Sequence, residues 1–193
     1  MKLIVRSTLY VVVLTVLLGG VYPAVVWGVS HVFWKDKAEG SFVPGADGRI
    51  VGSELIGQAF QSPKYLHSRP SAAGKDGYDA TASQGTNKGP TDADLAKAVA
   101  AAVAAAREDR PGDPRPVPAD LVTTSASGLD PHLSPDAAFW QAWRIAKARG
   151  VSEDKVTEVI RRHVEPRTLW VLGEPRVNVL LTNLDLDRSF PAR

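Results

Sequence analysis

Ser7-Thr8-Leu9-Tyr10-Val11-Val12-Val13-Leu14-Thr15-Val16-Leu17-Leu18-Gly19-Gly20-Val21-Tyr22-Pro23-Ala24-Val25-Val26-Trp27-Gly28-Val29-Ser30-His31-Val32-Phe33-Trp34 is the stretch that decides what kind of chain this is. It holds no Asp, Glu, Lys or Arg over 28 residues and is bounded by Arg6 and Lys35. A helix crossing the hydrocarbon core needs about 20 predominantly apolar residues, so the run is long enough to span. Trp27, Phe33 and Trp34 supply rings suited to the headgroup zone. Pro23 does not end such a helix, because neighbouring helices, hydroxyls or water can satisfy the freed carbonyl. A cleaved signal peptide has an apolar region of about 7–15 residues and a small-x-small site. This run is longer, and Pro23-Ala24-Val25-Val26-Trp27 makes a poor site. A buried core helix of about 10–14 residues is also too short a reading.

Residues 1–34 are thus expected to be a basic tail and a transmembrane helix, and residues 35–193 one soluble domain. Lys2 and Arg6 precede the span, and Lys35 and Lys37 follow it, so the charge rule leans only slightly. A short basic tail suits retention inside, and long domains translocate largely regardless of charge. The expected arrangement is an N-terminus inside and a domain outside. Gly20, Ala24 and Gly28 recur every fourth residue, a small-xxx-small face suited to close helix packing in lipid. They are the candidate subunit interface.

The net charge is +2 with charges interspersed, which gives no basic stripe for nucleic acid. There is no Cys, which excludes disulfides, thiolate nucleophiles and Cys-ligated metals. Gly52-Ser53-Glu54-Leu55-Ile56-Gly57-Gln58-Ala59 has the glycines of a phosphate loop, but Gln58-Ala59 replace the Lys-Ser/Thr that hold phosphate and Mg²⁺. It reads as a turn after a short strand, Arg49-Ile50-Val51. Tyr65 to Pro70, Leu121 to Thr124 and Arg167 to Leu172 read as further strands. Residues 71–90 and 125–132 are polar loops. Tyr78-Asp79 and Ser83-Gln84-Gly85-Thr86-Asn87 are the informative parts of the first.

Helices are expected from a Thr91 cap to about Arg107, from Ser134-Pro135 to Gly150, from Ser152 to Val164, and over Val177 to Leu184. In the second, Phe139, Ala142, Trp143 and Ala146 form the expected apolar face. Val177-Asn178-Val179 also allows a strand. Residues 108–118 are a Pro-rich connector, semi-extended and exposed. The fold class is therefore α+β: one N-terminal transmembrane helix, then a mixed domain with a small sheet and about four helices.

The four histidines, His31, His67, His132 and His163, lack metal-site spacing, and no G-x-S-x-G elbow is present. His163 has no acidic partner in register on its own helix. Chemistry alone gives a membrane-anchored binding or assembly domain. A signal-peptide-bearing or membrane-anchored extracytoplasmic hydrolase, or a solute-binding module, stays open.

Several stretches in order carry a resemblance. They are Gly19-Gly20-Val21-Tyr22-Pro23, Gly52 to Gln58, and Tyr65-Leu66-His67-Ser68-Arg69-Pro70-Ser71. Val117 to Thr123, Ser125 to Asp130, Trp140-Gln141, Ile145 to Arg149, Val177-Asn178-Val179 and Asn183-Leu184 follow. The chain resembles the C subunit of the Kdp-type bacterial potassium-transporting P-type ATPase. The resemblance implies a non-catalytic accessory subunit in a complex. A channel-like subunit carries K⁺, a P-type subunit hydrolyses ATP, and a very small membrane subunit accompanies them. It also implies a role as a catalytic chaperone that raises the ATP affinity of the hydrolysing subunit. Ser83, Gly85, Asn87 and Gln141 would be the nucleotide-side residues. Gln84 stands where that family usually has a glycine, and a side chain there limits close approach to a phosphate. Trp143 replaces a frequent family proline, so the helix after Pro135 is expected to run unbroken. Asp36-Lys37 is followed by Ala38 rather than Thr-Gly, so the phosphorylated aspartate of the complex lies on another subunit.

Overall fold

The computed structural model describes residues 1–191. The chain divides into two compact units, Met1–Val43 and Pro44–Arg193. The first is dominated by one helical run, Lys2–Phe33, of 32 residues and mean hydropathy 2.3 over its best window, with none of it buried against protein. That run is α1 (Lys2–Val16), a π-helical turn (Leu17–Val21) and α2 (Tyr22–Phe33). The widened turn sits just ahead of Pro23. A proline ring presses on the carbonyl four residues back, here that of Gly19, and loosening the ladder relieves the contact. A short α3 (Lys35–Ala38) and β1 (Phe42–Pro44) follow.

The second unit holds the core. It begins with a turn in which Gly45 N–H donates to the Arg49 carbonyl at 2.8 Å, then β2 (Ile50–Ser53). After a long irregular segment come α4 (Ala93–Asp109), a 3₁₀ turn at Ala119–Leu121 and β3 (His132–Leu133). Next are α5 (Pro135–Trp140), α6 (Ala142–Arg149), α7 (Glu153–Arg162), β4 (Val164–Glu165), β5 (Arg176–Asn178) and α8 (Val179–Ser189). The sheet order is β3-β5-β4, all antiparallel, with Leu133 and Val164 both opposite Val177. Helices α5 to α8 bury Ala138, Ile145, Val159, Ile160 and Leu186 against it.

Several local signals work as the residues suggest. Ser134 Oγ accepts from Ala137 N–H with Pro135 at the first helical position, and Gly150 closes α6 at φ 67. For α4 the cap is Asp92, not Thr91. Its carboxylate accepts from Asp94 and Leu95 N–H, a charge-assisted version of the same bond. At Val177-Asn178-Val179 both readings are realised in succession. Asn178 ends β5, and its side chain caps α8 by accepting from Leu181 N–H at 3.1 Å.

Other expectations are corrected. The helix after Pro135 is broken at Gln141. Its backbone N–H goes to Ala138 O, three residues back, and its own side-chain amide reaches the Ala137 carbonyl at 3.4 Å. The side chain has taken the acceptor that the helix ladder would use. The offset that follows turns Ile145 and Arg144 inward and leaves Trp143 half-exposed under the Lys147 ammonium. Val164 falls in β4 rather than in the helix before it. Leu121 to Thr124 form no strand; Val122 and Thr123 N–H both return to the Ala119 carbonyl. Arg167 to Leu172 also fail as a strand, because Leu169 and Trp170 adopt left-handed φ of 53 and 67 and fold the segment into an exposed loop. The Pro-rich connector is pinned at Asp113, which takes Arg110 and Arg115 at 2.6 Å each.

Candidate functional site

The segment expected to be a strand at Tyr65 to Pro70 is the centre of the site, and it has no strand partner. Two side-chain amides do that work instead. Asn183 of α8 accepts from Leu66 N–H at 2.7 Å and donates to Leu66 O at 3.0 Å. Gln141, between α5 and α6, accepts from His67 N–H at 2.8 Å and donates to His67 O at 3.0 Å. Each amide is buried and mimics one rung of a ladder, so Leu66 enters the core with both backbone groups satisfied. Arg144 reinforces the arrangement from α6. It donates to Pro63 O, Tyr65 O and Gln141 Oε1, and pairs with Asp109 at 2.9 Å. Arg149 binds Lys64 O and Asp187.

Beyond His67 the chain opens into a cleft of about 560 Å³. One wall is polar, with His67, Arg69, Ser71, Asp76 and Tyr78. The other is the alanine face of α4, Ala102, Ala105 and Ala106, and Gln141 lines the floor. Arg69 pairs with Asp130 at 3.3 Å and donates to the Thr124 carbonyl, which ties this wall to the 125–130 loop. Burial and the nearby Arg144 guanidinium push the His67 pKa down, so the ring is neutral. Its Nε2 lies 3.1 Å from the Ser62 carbonyl and must therefore be the protonated nitrogen. Burial pushes the Tyr78 hydroxyl up, and it donates to the Arg69 carbonyl.

The Ser68 and Ser71 hydroxyls of the cleft are engaged with backbone. Ser68 donates to Gln58 O and Ser71 to Gly128 O at 2.6 Å, while Ser71 also accepts from Ala73 and Tyr78 N–H. A serine nucleophile needs a base at its proton. These protons go to carbonyls, so the arrangement supports loop cohesion rather than acyl or phosphoryl transfer. Among the described residues no group of three or more His, Asp or Glu is placed to hold a metal ion.

A family model described as the c chain of the K⁺-transporting ATPase, KdpC, matches residues 4–188. The chain belongs to the KdpC family. Curated relatives named potassium-transporting ATPase KdpC subunit match along nearly all of it. The protein of Myxococcus xanthus is 55% identical over 93% of this chain and 84% of its own length. That of Koribacter versatilis is 50% identical over 98% and 96%, and that of Geobacter sulfurreducens 46% over 99% and 100%.

In this KdpC chain the residues expected on the nucleotide side lie in two places. Gln141 is buried and lines the cleft. Ser83, Gly85 and Asn87 sit on the polar loop, outside the cleft lining, and Ser83 and Gly85 pack on the 125–128 loop. Ser83 Oγ donates to Ser127 O at 3.0 Å, and Gln84 Nε2 to Ala72 O at 3.0 Å. A Cβ at Gly85 would stand 2.8 Å from the Ala126 carbonyl oxygen, so this glycine is required by contact between the loops. Asn87 holds φ 54, which asparagine tolerates. Among the described residues nothing outside the helix lies within 4 Å of where a Cβ at Gly20 or Gly28 would stand, and Ala24 is exposed.

Asn183 and Arg149 entered the sequence reading only within stretches that carry the resemblance, with no role given, and Arg144 did not enter it. The available signal was an amide within the apolar spacing Leu180, Leu181, Leu184, and an arginine between Trp143 and Ile145. His163 does have an acidic partner, from another helix: Asp185 of α8 lies 3.0 Å away.

Proposed function

We propose that this chain is the membrane-anchored accessory subunit of an ATP-driven potassium uptake complex, and that it works by assembly rather than by catalysis. The carrying observation is the KdpC family match over residues 4–188, with relatives named as subunits of a potassium-transporting ATPase. Its partners are then the channel-like subunit that carries K⁺, the P-type subunit that hydrolyses ATP, and the very small membrane subunit. ATP enters through the P-type subunit. The engagement of Ser83, Gln84, Ser71 and Ser68 with backbone supports the view that these loops bind one another and not a nucleotide.

The N-terminus faces the cytoplasm and the domain lies outside, a reading supported by Lys2 and Arg6 ahead of the span. There the domain braces the channel-like subunit. Gly20, Ala24 and Gly28 form the helix-packing face in lipid, where close approach of small residues drives association. Two experiments test the reading. Protease added to spheroplasts should digest the domain, and protection there with digestion in inverted vesicles would reverse the topology. Gly28→Leu should lower recovery of the complex in a detergent pull-down and growth at limiting potassium, while Val26→Leu should not. Equal recovery and growth for both would remove the helix from the interface. Micromolar, Mg²⁺-dependent ATP binding by the full chain, lost in Ser83→Ala, would favour the nucleotide role instead.

A further inference from the structure

Residues 166–175 join β4 to β5 and carry the domain's most exposed apolar run. Leu169 is 76% exposed, Trp170 82%, Val171 70% and Leu172 57%. An apolar run left in water by a folded domain marks a contact surface. The loop is ordered by its own bonds. Thr168 and Leu172 exchange both backbone hydrogen bonds at 2.9 Å, and Trp170 N–H donates to Arg167 O at 3.0 Å. Leu169 and Trp170 hold left-handed φ, which turns their side chains out. The charges at its base cancel in pairs, Arg167 with Glu174 at 2.6 Å and Arg176 with Glu165 at 2.9 Å. The tip is therefore apolar, uncharged and held in one shape.

We propose that this loop seats in the interfacial zone of the bilayer that anchors the chain. A lipid surface is favoured over a protein groove by three observations. First, the span fixes the domain to a membrane, and residues 34–43, fully extended, reach at most about 35 Å. Tethering of this kind raises the local concentration of the surface. Second, a Trp flanked by aliphatic residues is the composition that settles at headgroup level, and the paired bases leave no charge to desolvate. Third, the first segment of the domain, tied to the far end of β5, exposes apolar side chains too. Asn178 Nδ2 donates to Glu54 O at 2.8 Å, and Ile50, Val51, Leu55 and Ile56 of that first segment of the domain are exposed as well. The contact acts as a second foothold that limits how the domain turns about its single anchor. It holds for either leaflet, so it stands apart from the orientation proposed above.

The chain has no cysteine, so one introduced thiol is unique. Full-length Val171→Cys and Ala96→Cys, the latter on the exposed face of α4, are labelled with a polarity-sensitive fluorophore. Each is reconstituted alone in phosphatidylcholine vesicles, with circular dichroism as the check of fold. The expected result is blue-shifted emission at 171 that lipids carrying a shallow nitroxide quench, with neither effect at 96. Adding Trp170→Ser to Val171→Cys should abolish the shift. Water-like, unquenched emission at 171 would overturn the proposal. A shift that arises only when the purified partner subunits are added would overturn it too, and would place the loop in a protein interface.

Discussion

Asn183 and Gln141 each supply what a neighbouring strand would otherwise give to Leu66 and His67, and at this scale the domain is easiest to break. Asn183→Leu keeps the volume but leaves Leu66 N–H and C=O buried without partners. Each such group costs about 1–3 kcal/mol, so a loss of about 3 kcal/mol in urea unfolding, at unchanged slope, is expected. A loss under about 0.5 kcal/mol would mean that water replaces the amide. His67 gives a pH dependence with a definite sign. Its folded pKa lies below the ordinary value of 6.5, burial being the main cause. The unfolded chain then binds more protons just below that value, so the contribution is full above it and is lost as pH falls through it. His132, also lowered first by burial, adds in the same window. Stability should fall from about pH 7 to about pH 5, and His67→Gln should make that fall shallower without removing it. An unchanged slope in the variant would assign the effect elsewhere.

Among elements, α4 and the α5–α6 break differ most in what holds them. The only buried residue of α4 is Ala106, near its end, where the helix carbonyl accepts from Trp140 Nε1 at 3.1 Å. Its first half rests on alanine propensity and the Asp92 cap. Removing a cap costs about 1 kcal/mol. Asp92→Ala should therefore speed hydrogen exchange in the first turns of α4 while the global unfolding midpoint stays within error. A matching drop of the midpoint would show that α4 unfolds only with the whole domain. The break at Gln141 is the opposite case, an interruption fixed by the core. There one side chain serves the His67 backbone, the Ala137 carbonyl and Arg144 together.

At the scale of the molecule, the core of the second unit is built from its own residues, Leu66 to Leu186. A fragment starting at Pro44 should thus unfold cooperatively, with a midpoint close to that of the domain in the full chain. Leu66→Ala should lower it, with a cost of about 2–5 kcal/mol for a fully buried leucine. The same fragment, folded but without its span, should fail to restore growth at limiting potassium. Full restoration would show that the anchor is dispensable for the proposed assembly role.

The amino-acid sequence by itself determined the features that depend on neighbours in the chain. The uncharged run from Ser7 to Trp34 makes a long apolar helix because length and hydropathy are local sums. Ser134-Pro135 and Gly150 start and stop their helices because capping is settled within one turn. The stretches that carry the KdpC resemblance are likewise linear. The candidate site was legible only in part: Tyr78 and the polar loops were marked as surfaces that hold something, but not what they hold. Tertiary structure alone decided that Tyr65 to Pro70 is no strand, because its partners are two amides 74 and 117 residues away. It decided that Arg167 to Leu172 is an exposed loop and that Ser71 and Ser83 of the first polar loop turn to carbonyls. The physical reason is one of competition. A β-prone segment becomes a strand only where another backbone lies in register beside it, and here the groups that meet Leu66 and His67 are the side-chain amides of Asn183 and Gln141.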